Sequence, residues 1–250
     1  MTLAAIEARG LGKDFGSIRA LDDLDLAVHE AELFGFLGPN GAGKTTTVHL
    51  LATLLKPTRG TARVAGYDVV RDDLRTRRSI GLVFQETTLD RDLTVEENLR
   101  FAARLWGLPG RLAAPRIAEL LGQFGLLERR RDPVRALSGG MRRALDIARG
   151  ILHQPRVLFL DEPTAGLDPR ARRSLWELIR QLRRASGLTV FLTTHYVEEA
   201  EPCDRVAVLD GGRLVALGTP AELKRAAGAT TLEEVFLART GHPLAEPSAA

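Results

Sequence analysis

The stretch Gly38-Pro39-Asn40-Gly41-Ala42-Gly43-Lys44-Thr45 constrains this chain more than any other. Its order of glycine, four residues, glycine, lysine and a hydroxyl residue is that of a phosphate-binding loop, which works between a strand and a helix. Both neighbours fit: Leu33 to Leu37 reads as a buried strand, and Lys44 to about Leu55 as a helix. Glycines let backbone N–H groups converge on an anion, and the helix N-terminus adds a favourable dipole. Gly38, Pro39, Asn40, Gly41, Ala42, Gly43, Lys44, Thr45 and Thr46 are therefore expected around a nucleotide's phosphates. Lys44 would reach the β and γ phosphates, and the Thr45 hydroxyl would ligate Mg²⁺.

A loop of this kind implies an α/β fold, and strand-like runs alternate with helical ones over most of the chain. Ile6-Glu7-Ala8 and Leu24-Asp25-Leu26-Ala27-Val28 alternate apolar and polar as half-buried strands do, which gives a β-rich segment from about Ala4 to Leu37. The region from about 90 to 135 reads instead as an inserted helical subdomain. Thr94 and Glu97 have capping-box spacing, and Leu99, Ala102, Ala103 and Trp106 form an apolar stripe that makes Trp106 a packing residue.

Strand and helix alternate again in Val157–Leu160, about Pro169–Ala185 and Thr189–Thr193. Arg205–Leu209 and Arg213–Ala216 flank Asp210-Gly211-Gly212, a hairpin with two residues suited to positive φ. Thr219-Pro220-Ala221-Glu222 announces a short helix. The expected architecture is a phosphate-loop NTPase core of α/β class with an N-terminal antiparallel β subdomain, one domain over residues 1–240, and a frayed tail over 241–250.

Composition narrows the setting. At 250 residues and 44% hydrophobic, the chain has ample material for a core. A net charge of +3 is too small to argue for a nucleic-acid partner, and Arg129-Arg130-Arg131 and Arg183-Arg184 read as solvated faces. Cys203 is the one cysteine, so no internal disulfide is possible. Glu7 and Arg9 interrupt the apolar stretch near the start, so no secretory signal is expected. Uncharged apolar runs stop far short of the roughly 20 residues a spanning helix needs. Work at a membrane would require another chain to span it.

The acidic half of the chemistry follows Val157–Leu160. Asp161 arrives at the strand's C-terminal end, where ligands sit in open α/β sheets, and suits Mg²⁺ directly or through a water. Glu162 is then free to act as general base on an attacking water. Leu137-Ser138-Gly139-Gly140-Met141 precedes a helix and offers a second phosphate-binding surface, with the Ser138 hydroxyl and the N–H groups of Gly139 and Gly140 at a helix N-terminus. One nucleotide does not need two such surfaces, so the second is expected to serve a neighbour's nucleotide.

The ordered set GPNGAGKT, LSGGM and VLFLDEP, followed by Ala165-Gly166-Leu167-Asp168 and His195, resembles the ATP-binding subunit of ATP-binding-cassette transporters over about residues 3 to 240. The resemblance implies ATP and Mg²⁺ as ligands, and a head-to-tail homodimer with each nucleotide held between one phosphate loop and the other subunit's LSGG element. It also implies a separate integral membrane subunit as partner, and a place at the cytoplasmic face of the cell membrane. It assigns Phe15 to adenine stacking, with a core phenylalanine as the alternative. Gln85, after the strand Ile80–Phe84, would sense Mg²⁺ and the attacking water. His195 would contact the γ-phosphate and hold the glutamate's geometry. Asp168 would communicate across the dimer, and it also suits the N-cap of the helix that starts at Pro169. Met141 stands where many members carry Gln.

Within the family, LSGGMRRALDIARGIL, LDEPTAGLDP and LEEVFLARTG look like the drug-resistance exporters of the daunorubicin type. The alternative is a non-transport ATPase of the same superfamily, acting in DNA repair or translation. Repair ATPases insert long coiled coils between the two phosphate motifs, whereas the roughly 90 residues from Thr45 to Leu137 show no sustained heptads.

Overall fold

The computed structural model describes residues 4–244. Two sheets organise it. A four-stranded antiparallel sheet has the order β2-β1-β4-β5, with β1 Ala4–Phe15, β2 Ile18–His29, β4 Arg59–Val64 and β5 Tyr67–Asp68. A six-stranded sheet has the order β10-β9-β3-β8-β7-β6, with β3 Leu33–Leu37, β6 Ile80–Val83, β7 Val157–Asp161, β8 Thr189–Thr194, β9 Arg205–Asp210 and β10 Arg213–Gly218. Its strands run parallel except for β10 on one edge. The β-rich opening segment therefore divides: β1 and β2 form the antiparallel subdomain, and β3 joins the parallel core.

Parallel strands covered on both faces read as continuous apolar runs, and β3, β7 and β8 are buried at every residue. Alternation then assigns each side chain to one of two cores. Phe34, Phe36, Phe159 and Phe191 face the antiparallel sheet and α1 (Lys44–Leu51), with Phe36 and Phe191 ring centroids 5.2 Å apart. Leu37, Leu158, Leu160, Val190 and Leu192 face the other helices.

A short helix, α2 (Asp73–Ser79), precedes β6, and the inserted segment beyond that strand is helical as expected. It contains α3 Val95–Leu105, α4 Gly110–Gln123 and two single 3-10 turns at Leu127–Arg129 and Val134–Ala136. The capping box at Thr94 and Glu97 forms, and Leu99, Ala102 and Ala103 are buried. Trp106 departs from the expectation. It sits just past the end of α3, stays 39% exposed, and stacks on His153 at 3.8 Å instead of entering the core.

The helix after the phosphate loop is shorter than expected, ending at Leu51. Thr53 takes φ 65°, and both Leu54 and Leu55 donate back to the His49 carbonyl, which closes the helix. The hairpin joining β9 and β10 forms as expected, with Asp210 opposite Arg213 and both Gly211 and Gly212 at positive φ. The Thr219–Glu222 capping box also forms, at the start of α8 Pro220–Ala227.

Arg129, Arg130 and Arg131 are exposed. Arg183 is not a free surface charge: it is half-buried, donates to the Ala31 carbonyl at 2.8 Å and pairs with Asp204 at 2.7 Å. Of the tail expected over 241–250, residues 245–250 lie outside the described residues. Gly241 caps α9 (Leu232–Thr240), and Leu244 is buried.

Candidate nucleotide site

The phosphate loop is built from close backbone approaches that exclude side chains. A Cβ on Gly38 would lie 2.4 Å from the Leu209 carbonyl oxygen, and one on Gly43 would lie 2.5 Å from that of Ala20. Gly43 also takes φ 100°, in the left-handed region that favours glycine. The chain turns directly from β3 into α1, whose first turn carries neither a capping side chain nor an acidic residue. Its N–H groups are thus left for an anion, and the dipole favours one there.

Lys44 is buried beneath this loop. Its ammonium donates to the carbonyls of Gly38 at 2.7 Å and Pro39 at 3.0 Å, and lies 3.3 Å from Glu162 Oε1. Burial pushes the Lys44 pKa down, and the carboxylates of Glu162 and Asp161 oppose that.

Strand order brings the acidic half alongside. In the sheet β8 lies between β3 and β7, and the register sets Thr193 opposite both Phe36 and Asp161. The C-terminal ends of the three strands therefore converge, as ligand sites in open α/β sheets do. Asp161 accepts from Thr45 Oγ1 at 3.0 Å and from Thr193 Oγ1 at 2.5 Å. This hydroxyl and carboxylate are hard oxygen donors suited to Mg²⁺, which takes one or two carboxylates and completes its shell with phosphate and water. Among the described residues no cluster of three His, Cys, Asp or Glu could hold a metal by itself.

Glu162 has φ 43°, a costly backbone conformation for a residue with a side chain. Its N–H donates to Thr193 Oγ1 at 3.0 Å, which fixes the turn. Its carboxylate lies between Lys44 and His195, with Oε2 3.2 Å from His195 Nδ1. Lys44, Thr45, Asp161, Glu162 and His195 thus form one contact network.

The other expected residues lie outside that network. Phe15 ends β1 at 46% exposure, which excludes a core role, and Lys13 Nζ lies over its ring 5.1 Å from the centroid. Gln85 is exposed and follows Phe84, whose carbonyl accepts from Arg143. Ser138 caps α5 (Gly139–Gly150) by accepting from the Met141 N–H at 3.3 Å. Ser138 and Gly139 are exposed, whereas a Cβ on Gly140 would lie 2.8 Å from that of Ala171. Asp168 is the N-cap of α6 (Pro169–Ser186), accepting from the N–H groups of Arg170 and Ala171.

Two supporting residues escaped the sequence reading. Arg143 is buried and donates to the carbonyls of Pro163 at 2.7 Å, Asp161 at 3.1 Å and Phe84, joining α5 to the ends of β6 and β7. Glu199 is a buried carboxylate holding the hydroxyls of Thr164 and Thr194. Neither has a sequence signal, because Arg142 and Glu198 beside them have the same chemistry and face differently.

Comparison with known proteins identifies the family. The ABC transporter family model matches residues 21–165. The daunorubicin/doxorubicin resistance ATP-binding protein DrrA of Streptomyces peucetius is 49% identical over 91% of this chain and 69% of its own length. The Nod factor export ATP-binding protein I of Ralstonia nicotianae is 47% identical over 87% of this chain and 68% of its own. Among solved structures, an ATP-binding subunit of an ABC transporter superposes with TM-score 0.83 at 31% identity, covering 94% of this chain and 99% of that one. CbiO1 from Clostridium perfringens, described as part of the ABC transporter complex cbiONQ, gives TM-score 0.82 at 28% identity over 89% of this chain and 91% of that one. The chain belongs to the ABC transporter family, as an ATP-binding subunit with ATPase activity.

Proposed function

We propose that this subunit hydrolyses ATP to power export of a drug-like or hydrophobic compound through a separate membrane-spanning partner, at the cytoplasmic face of the cell membrane. The observation that carries the hydrolytic reading is the Glu162 carboxylate held between Lys44 and His195, beside the Thr45–Asp161 pair. The export reading is supported by the relatives, which are named for drug resistance and for Nod factor export. These names do not favour a role in DNA repair or translation. Among the described residues no helix is long and apolar enough to cross a membrane.

In this reading the N–H groups of Asn40, Gly41, Gly43, Lys44, Thr45 and Thr46 cradle the phosphates, those of Gly38 and Ala42 being held by the Thr194 and Pro39 carbonyls, and Lys44 moves from the loop carbonyls to the β and γ oxygens. Thr45, Asp161 and Gln85 would hold Mg²⁺, whose charge would stabilise the phosphate oxygens. Glu162 accepts a proton from water as its oxygen bonds to the γ-phosphorus and the bond to the β-bridging oxygen breaks. His195 contacts the γ-phosphate and orients Glu162, and Phe15 stacks on adenine.

A second copy completes the site by presenting Ser138, Gly139 and Gly140 to the same nucleotide, giving a head-to-tail homodimer with two ATP molecules between its halves. Loss of the γ-phosphate opens the pair, a ligand-dependent population shift that can move a partner.

The test is purification of the tagged chain from detergent-solubilised native membranes. A stoichiometric multi-spanning partner supports export. Exclusive recovery of nucleic-acid or ribosomal partners overturns it.

A further inference from the structure

Glu199 is a carboxylate only 2% exposed, in the short helix α7 (Val197–Ala200) one turn past His195. A charge this deep survives only where hydrogen bonds and opposite charge compensate it. Its two oxygens are used separately. Oε1 accepts from the Thr164 hydroxyl, and Oε2 accepts from the Thr194 hydroxyl at 2.7 Å. Thr164 lies two residues beyond Glu162, and Thr194 directly precedes His195. Thr194 Oγ1 also accepts from the Tyr196 N–H at 2.9 Å, so the backbone on both sides of His195 is tied to this carboxylate.

A second layer runs to α6. Arg172 places Nε 4.0 Å from Glu199 Oε1 and its guanidinium carbon 4.7 Å from the centre of the Tyr196 ring. The Tyr196 ring is in turn 4.0 Å from that of His195. Burial pushes the Glu199 pKa up, and the two hydroxyls and Arg172 pull it down.

We propose that Glu199 is a positioning residue for hydrolysis: by bridging Thr164 and Thr194 it fixes the separation between the Glu162 turn and His195. Both of its oxygens are taken by threonine hydroxyls. It acts through the two segments that leave adjacent strands β7 and β8, and adds a second tie beyond the Glu162 N–H bond to Thr193 Oγ1 at the strand ends. The inference rests on the assignment of Glu162 and His195 to hydrolysis.

The test compares the full chain with Glu199→Ala, Glu199→Gln, Thr194→Val and His195→Ala, measuring kcat, KM, affinity for a fluorescent ATP analogue and thermal midpoint. Glu199→Ala should lower kcat by about 10- to 100-fold, the scale of a small misplacement of catalytic groups, with KM and nucleotide affinity within about twofold. Glu199→Gln keeps one oxygen acceptor and should recover part of the loss. Thr194→Val should lower kcat as well, and adding it to Glu199→Ala should cost little more, because both break one link.

Wild-type kcat in Glu199→Ala overturns the inference. So does a kcat loss matched by equal losses of nucleotide affinity and folded fraction, or full additivity in the double variant. If Glu199→Ala does not fold, Glu199→Gln and Thr194→Val decide the question by the same readouts. Unchanged kcat in His195→Ala would instead overturn the site assignment on which the inference rests.

Discussion

Lys44 and Glu162 form an ion pair at 3.3 Å with side chains only 4% and 9% exposed, joining the phosphate loop to the turn after β7. The pair links the group placed to bind phosphate with the group placed to activate water. Each restrains the other before any nucleotide arrives, and each is replaceable without removing the rest of the network.

Glu162→Gln keeps the shape of the side chain and removes its ability to take a proton. Steady-state turnover should fall by about 10²- to 10⁴-fold, the usual contribution of a general base, while ATP binding persists. Phosphate release and nucleotide binding measured on the same preparation check this. Turnover at the wild-type rate would remove Glu162 from the base role.

Lys44→Ala removes the loop's one buried cation and leaves Glu162 short of a partner. ATP affinity and turnover should both collapse, and the ligand-free protein should lose about 1–3 kcal/mol, the scale of an unsatisfied buried polar group. Calorimetric titration with ATP and a urea melt read the two effects separately. Unchanged affinity would contradict the phosphate-loop assignment.

Gly43→Ala should be disruptive although alanine is small. The position takes φ 100°, and the added Cβ would lie 2.5 Å from the Ala20 carbonyl oxygen. Backbone strain alone costs about 1–3 kcal/mol, and relieving the clash must shift the loop or the strand β2 behind it. A lower thermal midpoint together with weaker ATP binding is expected. A variant equal to wild type in both would show that the loop has slack at this point.

His153 should make stability fall on the acid side. Its Nε2 lies 2.8 Å from the Ile80 carbonyl oxygen, Nδ1 is buried without a partner, and burial pushes its pKa below the usual 6.5. The folded state therefore binds fewer protons than the unfolded chain between the lowered value and 6.5, so stability rises with pH across that window and is lost as pH drops through it. Denaturant melts from pH 7 to pH 5 should show the loss, and His153→Gln should flatten the part due to this group. An unchanged slope in the variant would acquit His153.

Cys203 should be inert while the protein is folded. Its thiol is buried against the Glu199 carbonyl at 3.4 Å, and burial pushes its pKa far above the usual range, so almost no thiolate exists at neutral pH. Alkylation by iodoacetamide should be slow in buffer and fast in denaturant. Rapid labelling of the folded chain would mean that this side of the core opens readily.

What the sequence determined by itself was local. The phosphate loop, the capping boxes at Thr94 and Thr219 and the Gly211-Gly212 hairpin each depend on a few neighbouring residues whose backbone needs are written in their types. The end of α1 at Leu51 was harder to read, because Thr53 has no glycine-like marker for its positive φ. Trp106 fitted an apolar stripe, yet it lies past the helix's last turn, where His153 from a distant segment is its partner.

Tertiary structure decided which parts meet. Placing β8 between β3 and β7 brings Lys44, Asp161 and His195 to one edge, and hydrogen bonds between strands far apart in sequence set that order. It also separated chemically identical neighbours, burying Arg143 and Glu199 while Glu198 faces solvent. A buried charge needs partners, and those partners come from strands and loops that no local pattern names.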